Sequence, residues 1–418
     1  MPAGRLQVGL RGSAEAFLRA PIPPLVLTSI SAVSPSLAEV LRLCPLRGGL
    51  SRAEGAARFV LGQPKAWLGT VYHAVLEGAA GGGAAAAHEA AWLAAINEQH
   101  DRAQQHPLDQ RFGQPERWPG YHLIRAMALL RAQEVGGPSS STGGPGAAEG
   151  GGAAREQWLS GAGGRLVGKP DLVRGNAVID YKTGDIHEQG DSSAAKASYV
   201  RQLQIYAFLV KERTGRWPAR GVLLPMERPP LEVELEPLAC ERAAAEAVSL
   251  LDQYNRKIEA GVAPTSLASP STDACRWCPY QLLCPAFWAA AAESWSDELG
   301  AAAIGGSASA APRPIHGGAA LALSLTADEG TGPRGEVGLA PLNPGVHTAL
   351  AQMPADSRVR VIGLARRADG TVVPTIRTVV ARLEELPGVV LAGSTILNEK
   401  GAEPAQQRHA ADGAARRR

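Results

Sequence analysis

The stretch that most constrains this chain is GKPDLVRGNAVIDYKTG, residues 168–184. Gly175-Asn176 is a two-residue turn signal between two apolar pairs, Leu172-Val173 and Val178-Ile179, and such a loop fixes hairpin register. Counting outward, Arg174 pairs with Ala177, Val173 with Val178 and Leu172 with Ile179, which sets Asp171 opposite Asp180. Side chains alternate along a strand, so Lys182 shares the face of Asp180 while Ile179 and Tyr181 point the other way. Two carboxylates about 4–5 Å apart repel by about 3–4 kcal/mol at an effective dielectric near 20, and directly opposed like charges weaken a sheet. A divalent cation compensates such a pair: hard carboxylate oxygens suit Mg²⁺ or Mn²⁺. An adjacent ammonium then orients a water or stabilises a phosphorane-like transition state. A solvated hairpin in a slipped register is the plain alternative, but IDYKTG is too apolar around its charges for an ordinary surface turn.

A decoy overlaps this hairpin. Gly163 to Lys169 (GGRLVGK) matches half of a phosphate-binding loop, yet Pro170 stands where Ser or Thr would bind Mg²⁺ and the glycines lead into a strand. With no ATP site elsewhere, the chain is not expected to be a motor by itself.

GKPD followed by IDYKTG resembles the core of the PD-(D/E)XK nuclease superfamily in its RecB-like exonuclease branch. WLGTVYHAVLE sets His73 and Glu77 four residues apart on one helix face and is similar to the branch's G-x-x-x-H-x-x-x-E helix. RQLQIYAFL gives Gln202 and Tyr206 the Q-x-x-x-Y spacing, and SAVSPSLAEVLRLCPLR resembles the opening S-x-S…C-P element. Each piece alone occurs by chance; their order over residues 28–290 carries the resemblance. It implies an α/β fold, a PD-(D/E)XK restriction-endonuclease-like core with a mixed central sheet flanked by helices. His73, Asp171 and Asp180 would hold the catalytic cation, with the carbonyl of Tyr181 as a further ligand. Lys182 would position or help deprotonate the attacking water, and Gln202 and Tyr206 would orient the substrate strand. GKPD in place of Gly-x-Ile-Asp leaves Lys169 as a possible phosphate contact.

Five cysteines in 418 residues are too few and too unevenly placed for a secreted disulfide framework, and no long apolar run suggests export or membrane insertion. A cytoplasmic protein is expected. Cys275, Cys278 and Cys284 are spaced C-x2-C-x5-C. With Cys44 as the fourth thiolate, the set resembles the iron–sulfur nucleases related to the AddB subunit and the CRISPR-associated RecB-like nucleases. That resemblance implies a [4Fe–4S] cluster, with Zn²⁺ as the alternative. Cys240 lies outside the pattern and is expected to pack.

A net charge of +2 gives no global attraction to nucleic acid, so DNA contact needs local basic patches. Residues 1–27 are read as an N-terminal extension and 28–297 as the nuclease domain, carrying a flexible insertion at 135–156. A Gly/Ala/Ser/Pro-rich linker is expected at 298–335, then a small β-rich, OB-like module at 336–400 and a basic disordered tail at 401–418. In that module Val359 and Val361, and with them Leu364, fall on one side of a strand and Arg358 and Arg360 on the other, before a turn at Asp369-Gly370. The arginine face would track phosphate, although the segment has no Phe, Tyr or Trp for stacking; a packing or protein-docking domain is as good a reading.

The function expected is metal-dependent hydrolysis of DNA, exonucleolytic and favouring single strands or DNA ends. A helicase or other DNA-processing partner is compatible, as are repair, anti-phage and CRISPR-type pathways. Two readings stand beside it: a catalytically idle DNA-end-binding scaffold, and a structure-specific endonuclease or ribonuclease.

Overall fold

A computed structural model describes residues 22–79, 84–136, 154–155, 157–188 and 191–392. The expected tail at 401–418, most of the expected insertion at 135–156 and the first 21 residues lie outside them.

The hairpin forms in the register read from its turn: Leu172 pairs with Ile179, Val173 with Val178 and Arg174 with Ala177. Gly175 takes φ +59°, which a residue without Cβ adopts at no steric cost. The strand Ala177–Lys182 is central in a five-stranded sheet. One neighbour is the antiparallel Leu172–Arg174, itself edged by Ala154–Arg155; the other is the parallel Arg220–Pro225, edged by Leu231–Glu234. This is the mixed sheet expected.

Helices close both faces. Before the hairpin come α1 (Pro35–Leu43), α2 (Pro45–Leu50), α3 (Pro64–Ala79), α4 (Ala85–Gln105) and α5 (Tyr121–Gly136). After it come α6 (Ala197–Thr214) and α7 (Pro237–Glu259). Helices α3, α4 and α5 share one core with Tyr181 from the central strand. Val178 from the opposite side of the same strand packs with α1, α6 and α7 in a second core. Cys240 on α7 is buried there as expected. The glycine-rich decoy is a tight hairpin between Leu159–Gly161 and Leu166–Gly168, with Gly163 and Gly164 at positive φ and no helix following.

The expected linker is not a linker. Residues 298–335 contain the strands Ala301–Ala308, Arg313–Ile315 and Ala320–Gly330, which belong to a seven-stranded antiparallel sheet extending to Arg382. The small residues that suggested low complexity serve close strand packing: a Cβ on Gly306 would stand 2.2 Å from the carbonyl oxygen of Thr326. Leu321, Leu323 and Leu325 alternate with Ala322, Ser324 and Thr326 and fill the module's core. Val359, Val361 and Leu364 are buried together as expected. The three-residue step from Val361 to Leu364 spans only Ile304 to Ala302 on the neighbouring strand. A bulge at Gly363, φ +74°, absorbs the extra residue.

The arginine face does not stand open. Arg358 pairs with Asp328, and Arg360 pairs with Glu329 with its Nε 2.9 Å from Oε1; both acids come from the segment taken as a linker. Arg360 also lies over the ring of Trp288, 4.6 Å from its centroid, which ties the module to the helical end of the preceding domain.

The N-terminal extension ends earlier than expected. Leu25–Leu27 is a strand, and it pairs in parallel with Val389–Leu391. The two modules therefore share a backbone ladder. Among the described residues no helix is long and apolar enough to cross a membrane.

Candidate active site

The expected residues converge at the open end of the hairpin, where the strand Leu172–Arg174 stops and the central strand runs on. The backbone N–H of Tyr181 would otherwise be unpaired on that edge; it donates to Asp171 Oδ2 at 2.7 Å. The N–H and carbonyl of one strand residue point to the same edge, so the Tyr181 carbonyl faces the Asp171 side. Asp171 Oδ1 lies 3.2 Å from Nδ1 of His73 on α3. The Tyr181 ring is buried edge-on to the imidazole, with centroids 6.1 Å apart, and burial pushes its phenol up to about 12.

Asp180 is 2% exposed. Its burial raises the carboxyl to about 6, against the lowering effect of Lys182, with Asp171 adding to the rise. Lys182 Nζ stands 2.5 Å from Asp180 Oδ2, but no well-directed hydrogen bond reaches that oxygen; the contact is an ion pair. The ammonium donates instead to Gln202 Oε1 at 2.8 Å, and Gln202 Nε2 donates to the Tyr206 hydroxyl at 3.2 Å. Gln202 and Tyr206 are one turn apart on α6, which lays both over the hairpin.

Two glycines make these approaches possible. A Cβ on Gly168 would stand 2.9 Å from Tyr206 Cε1, and one on Gly69 would stand 3.0 Å from Thr183 Oγ1. Sequence reasoning missed Tyr199, whose ring lies 4.4 Å from Lys182 Nζ. Its i−3 spacing from Gln202 on α6 was the available signal. Lys169 lies 3.7 Å from Glu77 on α3, so an acidic partner stands at the position read as a phosphate contact.

As placed, no three His, Cys, Asp or Glu side chains among the described residues are arranged to hold a single metal ion. The reason at this site is visible: His73 and Lys182 each point at one of the two carboxylates. The donor set nevertheless suits a hard divalent cation, because the buried Asp180 carboxyl stands beside a second carboxylate, Asp171, whose charge adds to its rise.

The sequence pattern of the PD-(D/E)XK nuclease superfamily matches residues 32–285. The chain belongs to that superfamily. Its members are nucleases, phosphodiesterases that generally use Mg²⁺ or Mn²⁺, and the hairpin lies within the matched region. No curated protein matches the chain.

The four expected cysteines meet as well. Cys44, at the junction of α1 and α2, lines one pocket with Cys275, Cys278 and Cys284, in surroundings that include Leu46, Leu50 and Phe287. All are free thiols. Burial pushes Cys278 up to about 12 and Cys284 up to about 11. Cys284 Sγ accepts the N–H of Phe287 at 3.3 Å.

Proposed function

We propose that this chain is a metal-dependent DNA exonuclease of the RecB-like branch, hydrolysing phosphodiester bonds from single-stranded DNA or DNA ends. The observation that carries the reading is the continuous chain Asp180–Lys182–Gln202–Tyr206 beside the Asp171–His73 pair. Asp171, Asp180, His73 and the Tyr181 carbonyl would hold Mg²⁺ or Mn²⁺, which when bound supplies charge neutralisation at the scissile phosphate. Lys182, held by Gln202 and the Tyr199 ring, orients the attacking water and takes up its developing charge. Gln202 and Tyr206 present a polar edge to the strand entering along α6. Two acidic groups left on one small patch would repel the phosphate; the cation reverses that sign.

We also propose a [4Fe–4S] cluster held by Cys44, Cys275, Cys278 and Cys284, whose side chains line one pocket. A thiolate-only set suits an iron–sulfur cluster, with Zn²⁺ as the alternative. Such a cluster would join α1 and α2 to the segment just before the β-rich module. A cytoplasmic location and a helicase or other DNA-processing partner complete the reading, within repair or anti-phage DNA processing.

The test is cleavage of end-labelled single- and double-stranded DNA in Mg²⁺ or Mn²⁺ by the wild type and a folded Lys182→Ala variant. Metal-dependent release of label that the variant lacks is the expected result. Equal activity in both places the chemistry elsewhere. DNA binding without cleavage by either favours an end-binding scaffold, and cutting of circular single strands or of RNA favours the endonuclease or ribonuclease reading.

A further inference from the structure

A second site lies where the helical lobe meets the β-rich module. Arg111, in a short 3-10 turn after α4, reaches across and donates Nη1 to the carbonyl oxygen of Thr378 at 2.5 Å and more weakly to that of Ile376 at 3.4 Å. Its Nε is buried without a partner. Arg111 also lines a cavity of about 310 Å³ with Pro341, Asn343, His347, Pro374 and Ile376. A cavity of that size holds a small organic molecule rather than a few waters.

The lining has two parts. One is cationic and polar: the Arg111 fork, the His347 ring and the side-chain amide of Asn343, whose Oδ1 already accepts the N–H of Gly345 at 2.8 Å and whose Nδ2 makes no contact among those described. The other is apolar and rigid: Pro341, Pro374 and the exposed Ile376. No carboxylate lines the cavity. Asp109 influences Arg111 electrostatically but is committed elsewhere, accepting the N–H of Gly62 at 2.7 Å and lying 3.4 Å from His106.

We infer that this interlobe cavity binds the phosphate of a mononucleotide on Arg111 and Asn343, with the nucleoside against Pro341, Pro374 and Ile376. A planar guanidinium matches phosphate oxygens, and Arg111 brings its charge to a cavity that no carboxylate lines. Burial and the Arg111 charge lower His347 to about 4, so at neutral pH the imidazole is uncharged and offers one N–H to the same ligand. The choice of a nucleotide over another organic phosphate rests on the proposed nuclease activity, which releases mononucleotides; the anion site itself does not.

The experiment is calorimetric titration of the full chain with dTMP, and separately with inorganic phosphate, without divalent cations so that the hairpin cannot hold the nucleotide through a metal. Expected is one-to-one binding of dTMP, at least tenfold tighter than phosphate. Arg111→Gln and Asn343→Asp should each weaken it tenfold or more, and Lys182→Ala should leave it unchanged. Asn343→Asp keeps the oxygen that the Gly345 N–H requires, so it adds charge without removing a fold contact. Absence of saturable binding at millimolar dTMP overturns the inference, as does equal binding by Asn343→Asp. Loss of binding in Lys182→Ala alone moves the nucleotide to the hairpin and overturns it too. Equal affinity for phosphate overturns the nucleotide assignment, and displacement of dTMP by an oligonucleotide without terminal phosphate reassigns the site to strand backbone. If dTMP binds as expected while the wild type cleaves no DNA, the site stands and only the nuclease reading fails.

Discussion

Lys182 Nζ donates to Gln202 Oε1 at 2.8 Å, so the residue that would act on water is aimed by a helix that contributes nothing to the hairpin itself. Gln202→Leu should therefore lower kcat by about 10- to 100-fold, the usual cost of losing an orienting partner. Folded content by circular dichroism should stay unchanged. A full-rate Gln202→Leu enzyme would mean that Asp180 and Tyr199 suffice to hold the ammonium.

Divalent cation should stabilise the wild type and not an Asp180→Asn variant. A ligand that binds only the folded state at a hundred times its Kd adds about 2.7 kcal/mol. The melting temperature of the wild type should rise with added Mn²⁺. An equal rise in Asp180→Asn would place the cation away from the buried carboxylate.

Gly168 has an ordinary φ, and its lack of a side chain matters for space alone. A Cβ there would stand 2.8 Å from Leu209 Cδ1 and 2.9 Å from Tyr206 Cε1. Gly168→Ala should cost about 1–3 kcal/mol through overpacking and reduce cleavage by pushing Tyr206 off Gln202. Urea denaturation together with turnover of the folded variant checks both parts.

Cys278→Ala should lose bound iron and a broad absorbance near 400 nm, the region expected of a [4Fe–4S] cluster, and should unfold at lower temperature. Mn²⁺-dependent stabilisation through Asp180 should persist in the fraction that remains folded. An anaerobically purified wild type without iron and without that absorbance would sink the cluster.

His347 gives the fold a pH dependence of defined sign. Its folded value of about 4 lies below the ordinary 6.5, because burial first and the Arg111 charge second disfavour the imidazolium. The unfolded chain takes up its proton as pH falls through 6.5, while the folded chain resists until about 4. Stability is therefore complete above 6.5 and declines between 6.5 and 4, by up to about 3 kcal/mol at 1.36 kcal/mol per pH unit. Carboxylates elsewhere add their own slope, so the measurement is a difference. Denaturation midpoints between pH 7 and 4.5 should fall less steeply in His347→Gln than in the wild type.

The hairpin register was legible because Gly175-Asn176 leaves one way to close the loop, and a single residue of slippage would have reversed every face. The cysteines were legible as a set, although only folding brings Cys44 to Cys275. What failed did so through composition. Ala, Gly and Ser between 298 and 335 resemble a tether, whereas the alternation of Leu321, Leu323 and Leu325 marks a strand. That one misreading hid a second: Asp328 and Glu329, which neutralise Arg358 and Arg360, lie inside the supposed tether, so the arginines looked available. A contact such as Arg111 with Thr378 joins distant segments and leaves no periodic trace.

The ladder between Leu25–Leu27 and Val389–Leu391 has a consequence for synthesis. Leu25 donates to Gly388 and Ala392 donates to Leu27, so the first described strand waits for a partner that leaves the ribosome after both modules have been made. The nuclease core can collapse during translation, but its opening strand keeps an unpaired edge until residue 389 has emerged. A chain stopped at the boundary near residue 297 would carry that bare edge permanently and present it to other chains. The tie between the two modules therefore closes last, only once residues 389–391 are available to pair with the opening strand.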